Sequence, residues 1–311
     1  MSLIEVQALL GPLAVTLLIA GGTALLLGTI LGAAVLGDGA GTALLRGLET
    51  AAGLMLGAVI SRVFVAWLLA ESPHPERASV VIGWAFLFWP GVIDLIPSLF
   101  GTRPLSQPAT LVVLATWVGA GIGFMNGFWR IHHVTGLLTF PLNLTWGLGA
   151  NVTGLLVHVI NFAWAGHGDE KRSEAHRYAS GFRIKGSYAF TQGCVMSNLP
   201  DKPGASLYSH EFLHVIQNLV AGPFFLLSYL AWMIVVFPFG LIHGLISKAG
   251  GVQDGVEGWS YDSNPWEMMA YAVGGGHNPN VAPGPVLMGI LYLIFGALFI
   301  WASVGVIRWA W

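Results

Sequence analysis

The chain has 311 residues, of which 55% are hydrophobic and 9% charged, with a formal net charge of −2. Soluble domains carry about 25% charged residues, so this composition, with a mean hydropathy of +0.71, excludes an ordinary soluble domain and points to an integral membrane protein. The near-neutral charge leaves no nucleic-acid footprint, and the single cysteine, Cys194, excludes an intramolecular disulfide.

Apolar stretches long enough to cross a bilayer, about 20 residues as helix, recur from one end of the chain to the other. The first covers about Ala8 to Leu36; Met1 to Gln7 carries no Lys or Arg ahead of it, which argues for a retained helix over a cleaved signal peptide. Gly28 and Gly32 in it have the spacing that lets helix backbones approach closely. A second span, about Leu44 to Ala70, carries Arg46, Glu49 and Arg62. Arg46 and Glu49, three apart, are expected to pair, and Arg62 needs a partner from elsewhere. Asp94, in a third span from about Ser79 to Phe100 that Pro90 and Pro97 should kink, is the candidate. A fourth, about Thr110 to Trp129, puts Gly119, Gly123 and Gly127 on one face for close packing. Two adjacent histidines, His132 and His133, point in different directions and suit a metal poorly. From Val134 to Ala165, interrupted by Pro141, Gly147 and Gly149, either one tilted helix or a broken pair fits, with His158 and Asn161 as interhelical hydrogen-bonding groups.

A soluble insert follows. Its charged run, Asp169 to Glu174, reads as a solvated helix or linker. From Phe182 to Thr191 the sequence alternates and is rich in strand formers, which predicts a strand or hairpin. A proline-rich loop then leads to His210-Glu211-Phe212-Leu213-His214, with Ser206 or Ser209 as candidate helix cap. Residues four apart share a helix face, so His210 and His214 can offer two imidazole nitrogens to one metal ion. Glu211 projects beside them, placed to act as general base on metal-activated water. The remaining polar residues of that face are Gln217 and Asn218.

Gly222 to Ser247 is again apolar and long enough to span. A crossing there would carry the next loop to the opposite side, so a hairpin turning at Pro238-Phe239-Gly240 is preferred, the alternative being an uninterrupted helix with an intramembrane site. The loop Lys248 to Pro285 encloses Asn264-Pro265-Trp266-Glu267, where Asn264 and Pro265 read as cap and first turn of a helix and Glu267 is the best third ligand. Tyr261, Tyr271 and His277 are candidate oxyanion donors. A last span runs from about Pro285 to Trp309, with Trp301, Trp309 and Trp311 suited to an interfacial belt.

The His-Glu-x-x-His motif, Gln217, Gly222-Pro223 and Asn-Pro-x-Glu-x-x-Ala together resemble the bacterial membrane-associated zinc metallopeptidase-like proteins of the gluzincin type, over about residues 182–271. The resemblance implies one zinc ion held by His210, His214 and Glu267, with Glu211 as catalytic base. It also implies an extended peptide held against a sheet edge, for which the strand carrying Phe182, Ile184, Tyr188 and Phe190 is the candidate.

The expected fold class is an all-α polytopic membrane protein of about six to seven transmembrane helices with a small α+β zincin-like insert. Its parts are transmembrane helices over 1–165, a metallopeptidase-like region over 166–283 and a C-terminal transmembrane helix over 284–311. Basic residues cluster in the insert, which by the positive-inside rule places the metal site on the cytoplasmic side of a bacterial inner membrane. Two functional readings follow. One is a zinc-dependent membrane endopeptidase acting on a peptide or protein substrate; the other is a metallopeptidase-like accessory subunit docking into a larger membrane complex through glycine-lined helices. A transporter using Glu49, Arg62, Asp94 and His158 lacks the inverted repeat that such folds show.

Overall fold

The computed structural model describes residues 3–34, 37–86, 116–121, 123–124, 127–131, 133–164, 169–172, 175–186, 188–200, 204–247, 251–275 and 284–311. Helices α1 (Leu3–Ala34) and α2 (Ala40–Ala70) form an antiparallel hairpin. Small residues set their separation: a Cβ on Gly28 would lie 3.0 Å from the Gly47 Cα, and one on Gly32 3.2 Å from the Ala43 Cα. Arg46, expected to pair with Glu49, is bound by Asp38 at 2.7 Å, which closes the turn. Arg62 Nε is buried with no hydrogen-bond partner among the described residues, and Asp94, proposed for it, lies outside them. Helix α3 (Pro75–Phe86) begins where the third span was expected, and the rest of that span lies outside the described residues.

The stretch from Val134 resolves into the broken pair, α4 (Val134–Leu144) and α5 (Leu148–Trp164). Asn151 holds the break by donating to Asn143 Oδ1 at 2.9 Å and to the Gly147 carbonyl at 3.1 Å. His158 and Asn161, expected to bond between helices, instead grip a sheet. His158 Nδ1 lies 2.8 Å from the Tyr178 hydroxyl, and Asn161 donates to Ser197 Oγ at 2.6 Å while accepting from the Phe182 N–H at 2.7 Å.

That sheet has the order β1-β2-β4-β3, built from β1 (Asp169–Arg172), β2 (Ala175–Tyr178), β3 (Phe190–Gln192) and β4 (Val195–Ser197). The charged run expected as a helix or linker supplies β1, because antiparallel pairing of Asp169 with Tyr178 through Arg172 with Ala175 satisfies its backbone. The strand expected from Phe182 is much shorter. Only Phe190 of the four named residues is in it, since the Asn161 side chain takes the Phe182 N–H and Arg183 bonds the Gly186 carbonyl in a local turn. Strands β2 and β4 are buried, and with Phe128, Trp129, Phe140 and Val215 they form the main core.

Helix α6 (Ala205–Ala221) carries the motif. Its N-cap is Gly204, so Ser206 and Ser209 lie inside the helix and cap nothing. Helix α7 (Pro223–Ile246) is one continuous 24-residue helix, which overturns the preferred hairpin at Pro238. Proline forfeits one N–H and one ladder bond, a loss that apolar helices packed by neighbours tolerate. The chain nevertheless comes back: α8 (Gly251–Glu257) and a π-helical segment, Gly258–Asp262, run antiparallel to the second half of α7. The approach needs glycine on both sides, as a Cβ on Gly255 would sit 2.6 Å from the Gly240 carbonyl oxygen. Helix α9 (Pro265–Gly274) then crosses α6, and α10 (Pro285–Ala310) packs Met288, Tyr292 and Phe295 on Trp232, Val236 and Trp259.

Among the described residues three helices, α2, α7 and α10, are long and apolar enough to cross a membrane, against the six to seven expected.

Candidate metal centre

On α6 the two histidines stand one turn apart, both buried, with their Nε2 atoms 3.3 Å from each other. Helix α9 brings Glu267 to them. Its close crossing depends on Gly274, where a Cβ would meet both the Ser206 carbonyl oxygen and the His210 Cβ at 2.7 Å. Glu267 Oε2 lies 3.2 Å from His210 Nε2 and 3.4 Å from His214 Nε2. Zinc bonds run about 2.0–2.1 Å, so three corners of a tetrahedron around zinc are about 3.3–3.4 Å apart. The three atoms therefore already stand at the separations one tetrahedral ion requires. Oε2 has no hydrogen-bond partner among the described residues, which is costly for a buried carboxylate oxygen unless a cation faces it. The donor set, two imidazoles and one carboxylate, suits zinc.

A ring of buried hydrogen bonds aims these ligands. Gln217 Nε2 donates to the Trp266 carbonyl at 3.0 Å, so its Oε1, 2.8 Å from His214 Nδ1, accepts the ring proton there. That fixes the Nδ1–H tautomer and leaves the Nε2 lone pair for a metal. The Tyr229 hydroxyl donates to Glu267 Oε1 at 2.8 Å, turning Oε2 toward the histidines. Asn264, the expected cap of α9, accepts from the Trp266 N–H at 3.1 Å and donates to the Tyr229 carbonyl at 3.2 Å, and Trp266 Nε1 reaches Ser228 Oγ at 2.8 Å. Burial pushes the Glu267 carboxyl up, and the neighbouring imidazoles with the Tyr229 hydroxyl draw it below the usual carboxylate range.

Glu211 stands outside the three-residue cluster. Thr191 on β3 donates to its Oε2 at 2.6 Å, fixing the carboxylate beside the cluster. Burial raises its pKa, against the pull of His214, the Thr191 hydrogen bond and His210. A carboxylate whose proton affinity is raised is suited to accept and return a proton.

Two clefts flank Glu211. One, of about 500 Å³, has Phe225, Leu226, Leu230 and Met233 of α7 on one wall and Ile184, Tyr188 and Phe190 on the other, with Glu211, His214 and Glu267 exposed to it. The second, of about 430 Å³, is bounded by Asn198, Ser206, His210 and Tyr271. Tyr261 borders both. Burial, with Glu267 adding, pushes the Tyr261 and Tyr271 phenols up, so both remain protonated donors. The Tyr271 ring lies 4.6 Å from that of His210. His277 lies outside the described residues. Of the candidate edge residues, Phe182 stands behind Phe190, its ring 5.2 Å away. Glu257 accepts from Tyr188 at 2.8 Å and from Lys185, tying the loop before β3 to α8.

Sequence reasoning missed Thr191 and Tyr229 as partners of the two glutamates. Tyr229 had a signal, a lone phenol in an otherwise apolar run, since a buried hydroxyl needs an acceptor. No protein-family model, curated protein or solved structure matches the chain.

Proposed function

We propose that the chain is a zinc-dependent membrane endopeptidase of six to seven spans. The observation that carries this reading is the asymmetry of the two buried glutamates: Glu267 points an unpaired oxygen at two imidazole nitrogens 3.2 and 3.4 Å away, while Glu211 is held off the cluster by Thr191. Zinc held by His210, His214 and Glu267 would polarise a peptide carbonyl and lower the pKa of water. Glu211 takes the proton of the attacking water and returns it to the leaving amine. Tyr261 and Tyr271 supply neutral O–H donors for the charge that develops on the carbonyl oxygen. Strand β3, at the sheet edge beside the larger cleft, offers backbone groups to an extended peptide. By the positive-inside rule the basic insert faces the cytoplasm of a bacterial inner membrane.

The accessory-subunit reading has less support. Gly28 and Gly32 are filled by α2 and Gly123 by the Trp129 ring, so these three glycines serve packing within the chain. Gly119 meets no described atom, and Gly127, at φ +66°, lies in a turn and not on a helix face.

The test is metal content by mass spectrometry on detergent-purified protein, followed by peptide hydrolysis. One zinc per chain is expected in the wild type and in Glu211→Gln, and none in His214→Ala or Glu267→Ala, with hydrolysis abolished in all three variants. A wild type free of zinc after chelator-free purification would overturn the reading.

A further inference from the structure

We infer that the substrate is a transmembrane segment of another membrane protein, drawn in extended form from the bilayer into the larger cleft. The inference rests on the endopeptidase reading and names the substrate of that same site.

Depth carries it. Helices α7 and α10 pack antiparallel: the Trp232 ring lies 5.1 Å from that of Tyr292 and 5.3 Å from that of Phe295, and Phe224 lies 6.2 Å from Phe299. Tyr229, whose hydroxyl binds Glu267, falls between Phe224 and Trp232 and so stands level with Phe295. Phe295 is ten residues from the start of α10 and fifteen from its end. At 1.5 Å per residue that is about 15 Å and about 22 Å along α10, and on α7 Tyr229 is six residues, about 9 Å, from the helix start, so the centre lies about 9–15 Å inside the two spans, below the level of their ends. A water-borne peptide would have to enter about 9–15 Å below the ends of the spans to reach it. A transmembrane segment is there already.

The walls agree with that source. Leu226, Leu230 and Met233 of α7 face Ile184 and Phe190 across the cleft, with the Lys185–Glu257 ion pair also in its lining. A spanning helix must unwind before its carbonyls can be attacked, and each backbone group freed in an apolar medium costs several kcal/mol unless paired. The edge strand β3 is the pairing surface that offsets this cost. The second cleft, bounded by Asn198, Ser206 and Tyr271 on the far side of Glu211, gives water its own route. Substrate and water thus arrive from opposite sides of one carboxylate.

The experiment uses the full chain in phosphatidylcholine liposomes, with Cys194→Ala as background, since Cys194 is the only cysteine. Nitroxide labels at Met233→Cys and, as a lipid-facing reference, at Ile234→Cys are compared by collision with oxygen and with a water-soluble nickel chelate. The inference expects the Met233 label to favour oxygen as strongly as the Ile234 label; a severalfold preference for the nickel chelate would overturn it. In parallel, the Glu211→Gln variant is photolysed with a Leu/Ala single-span peptide carrying a diazirine leucine at its centre, and separately with a diazirine fatty acid. Peptide crosslinks at Leu230, Met233 or Phe190, severalfold above those of a water-soluble peptide with the same probe, support it. Crosslinks from the fatty acid alone overturn it in favour of a lipid-filled cleft. Neither readout needs hydrolysis. A zinc-loaded enzyme that cuts soluble peptides while its Met233 label prefers the nickel chelate refutes the membrane substrate and keeps the endopeptidase, whereas absent zinc refutes the endopeptidase itself.

Discussion

Replacing Gln217 with Leu should weaken zinc binding without touching a ligand. Gln217 is buried and makes two hydrogen bonds, accepting from His214 Nδ1 at 2.8 Å and donating to the Trp266 carbonyl at 3.0 Å. The first orients a ligand ring and sets its tautomer; the second ties α6 to the turn that carries Glu267. Loss of such outer partners typically costs 10–100-fold in metal affinity, or about 1.4–2.7 kcal/mol. The Trp266 carbonyl left unpaired adds about 1–3 kcal/mol of destabilisation. Gln217→Glu separates the two effects: it keeps an acceptor for the imidazole N–H but loses the donor to Trp266. Zinc affinity, measured by competition with a chromogenic chelator in detergent, should fall 10–100-fold in Gln217→Leu and stay at or above the wild-type value in Gln217→Glu. Thermal stability should fall in both. Wild-type affinity in a helical, folded Gln217→Leu protein would falsify the claim that Gln217 positions His214.

Gly274→Ala places a methyl group 2.7 Å from the Ser206 carbonyl, so α9 must lift from α6; stability should fall by about 1–3 kcal/mol and zinc affinity at least tenfold, read by thermal melting and chelator competition. Gly255→Val should likewise part α8 from α7 and displace Glu267, whereas Gly289→Ala, with open space around it, should be neutral or stabilise α10 by up to about 1 kcal/mol. Equal zinc occupancy in the Gly255 and Gly289 variants would show that the returning segment does not position the ligand. Thr191→Val removes the only hydrogen bond drawn to Glu211 by β3, and turnover should drop about 10–100-fold at unchanged zinc content. A parallel loss of zinc would assign Thr191 to folding instead.

The clustering of His210, His214 and Glu267 was legible because these residues obey local rules. His210 and His214 sit one helical turn apart, and the Asn264-Pro265 start puts Glu267 in the first turn of its helix. What failed were the steps in which a local signal competes with tertiary pairing. Pro238 predicts a break, but α7 runs through it, because neighbouring helices and an apolar setting leave no better conformation for the flanking residues. The charges of Asp169–Arg172 predict a solvated segment, but β2 needs a partner on that edge. The alternation from Phe182 predicts a strand, yet Asn161 withdraws the Phe182 N–H from any ladder. The return of the chain along α7 had its signal in Gly240, Gly244 and Gly255, which only pair once both segments are seen as helices.

The hydrogen bonding around the cluster singles out three atoms. Buried polar groups are costly unless paired, and the chain pairs most of those around the cluster. Tyr229 gives its hydroxyl to Glu267 and its carbonyl to Asn264, Ser228 accepts the Trp266 indole, and Gln217 joins His214 to the Trp266 carbonyl. After this pairing Glu267 Oε2 and the two Nε2 atoms remain, mutually 3.2–3.4 Å apart. The same accounting leaves Glu211 outside the cluster, with one oxygen on Thr191 and the cleft before it. A metal site built only to brace helices has no use for a second buried carboxylate, whose burial opposes its own charge. In the proposed endopeptidase, that carboxylate is where the proton moves.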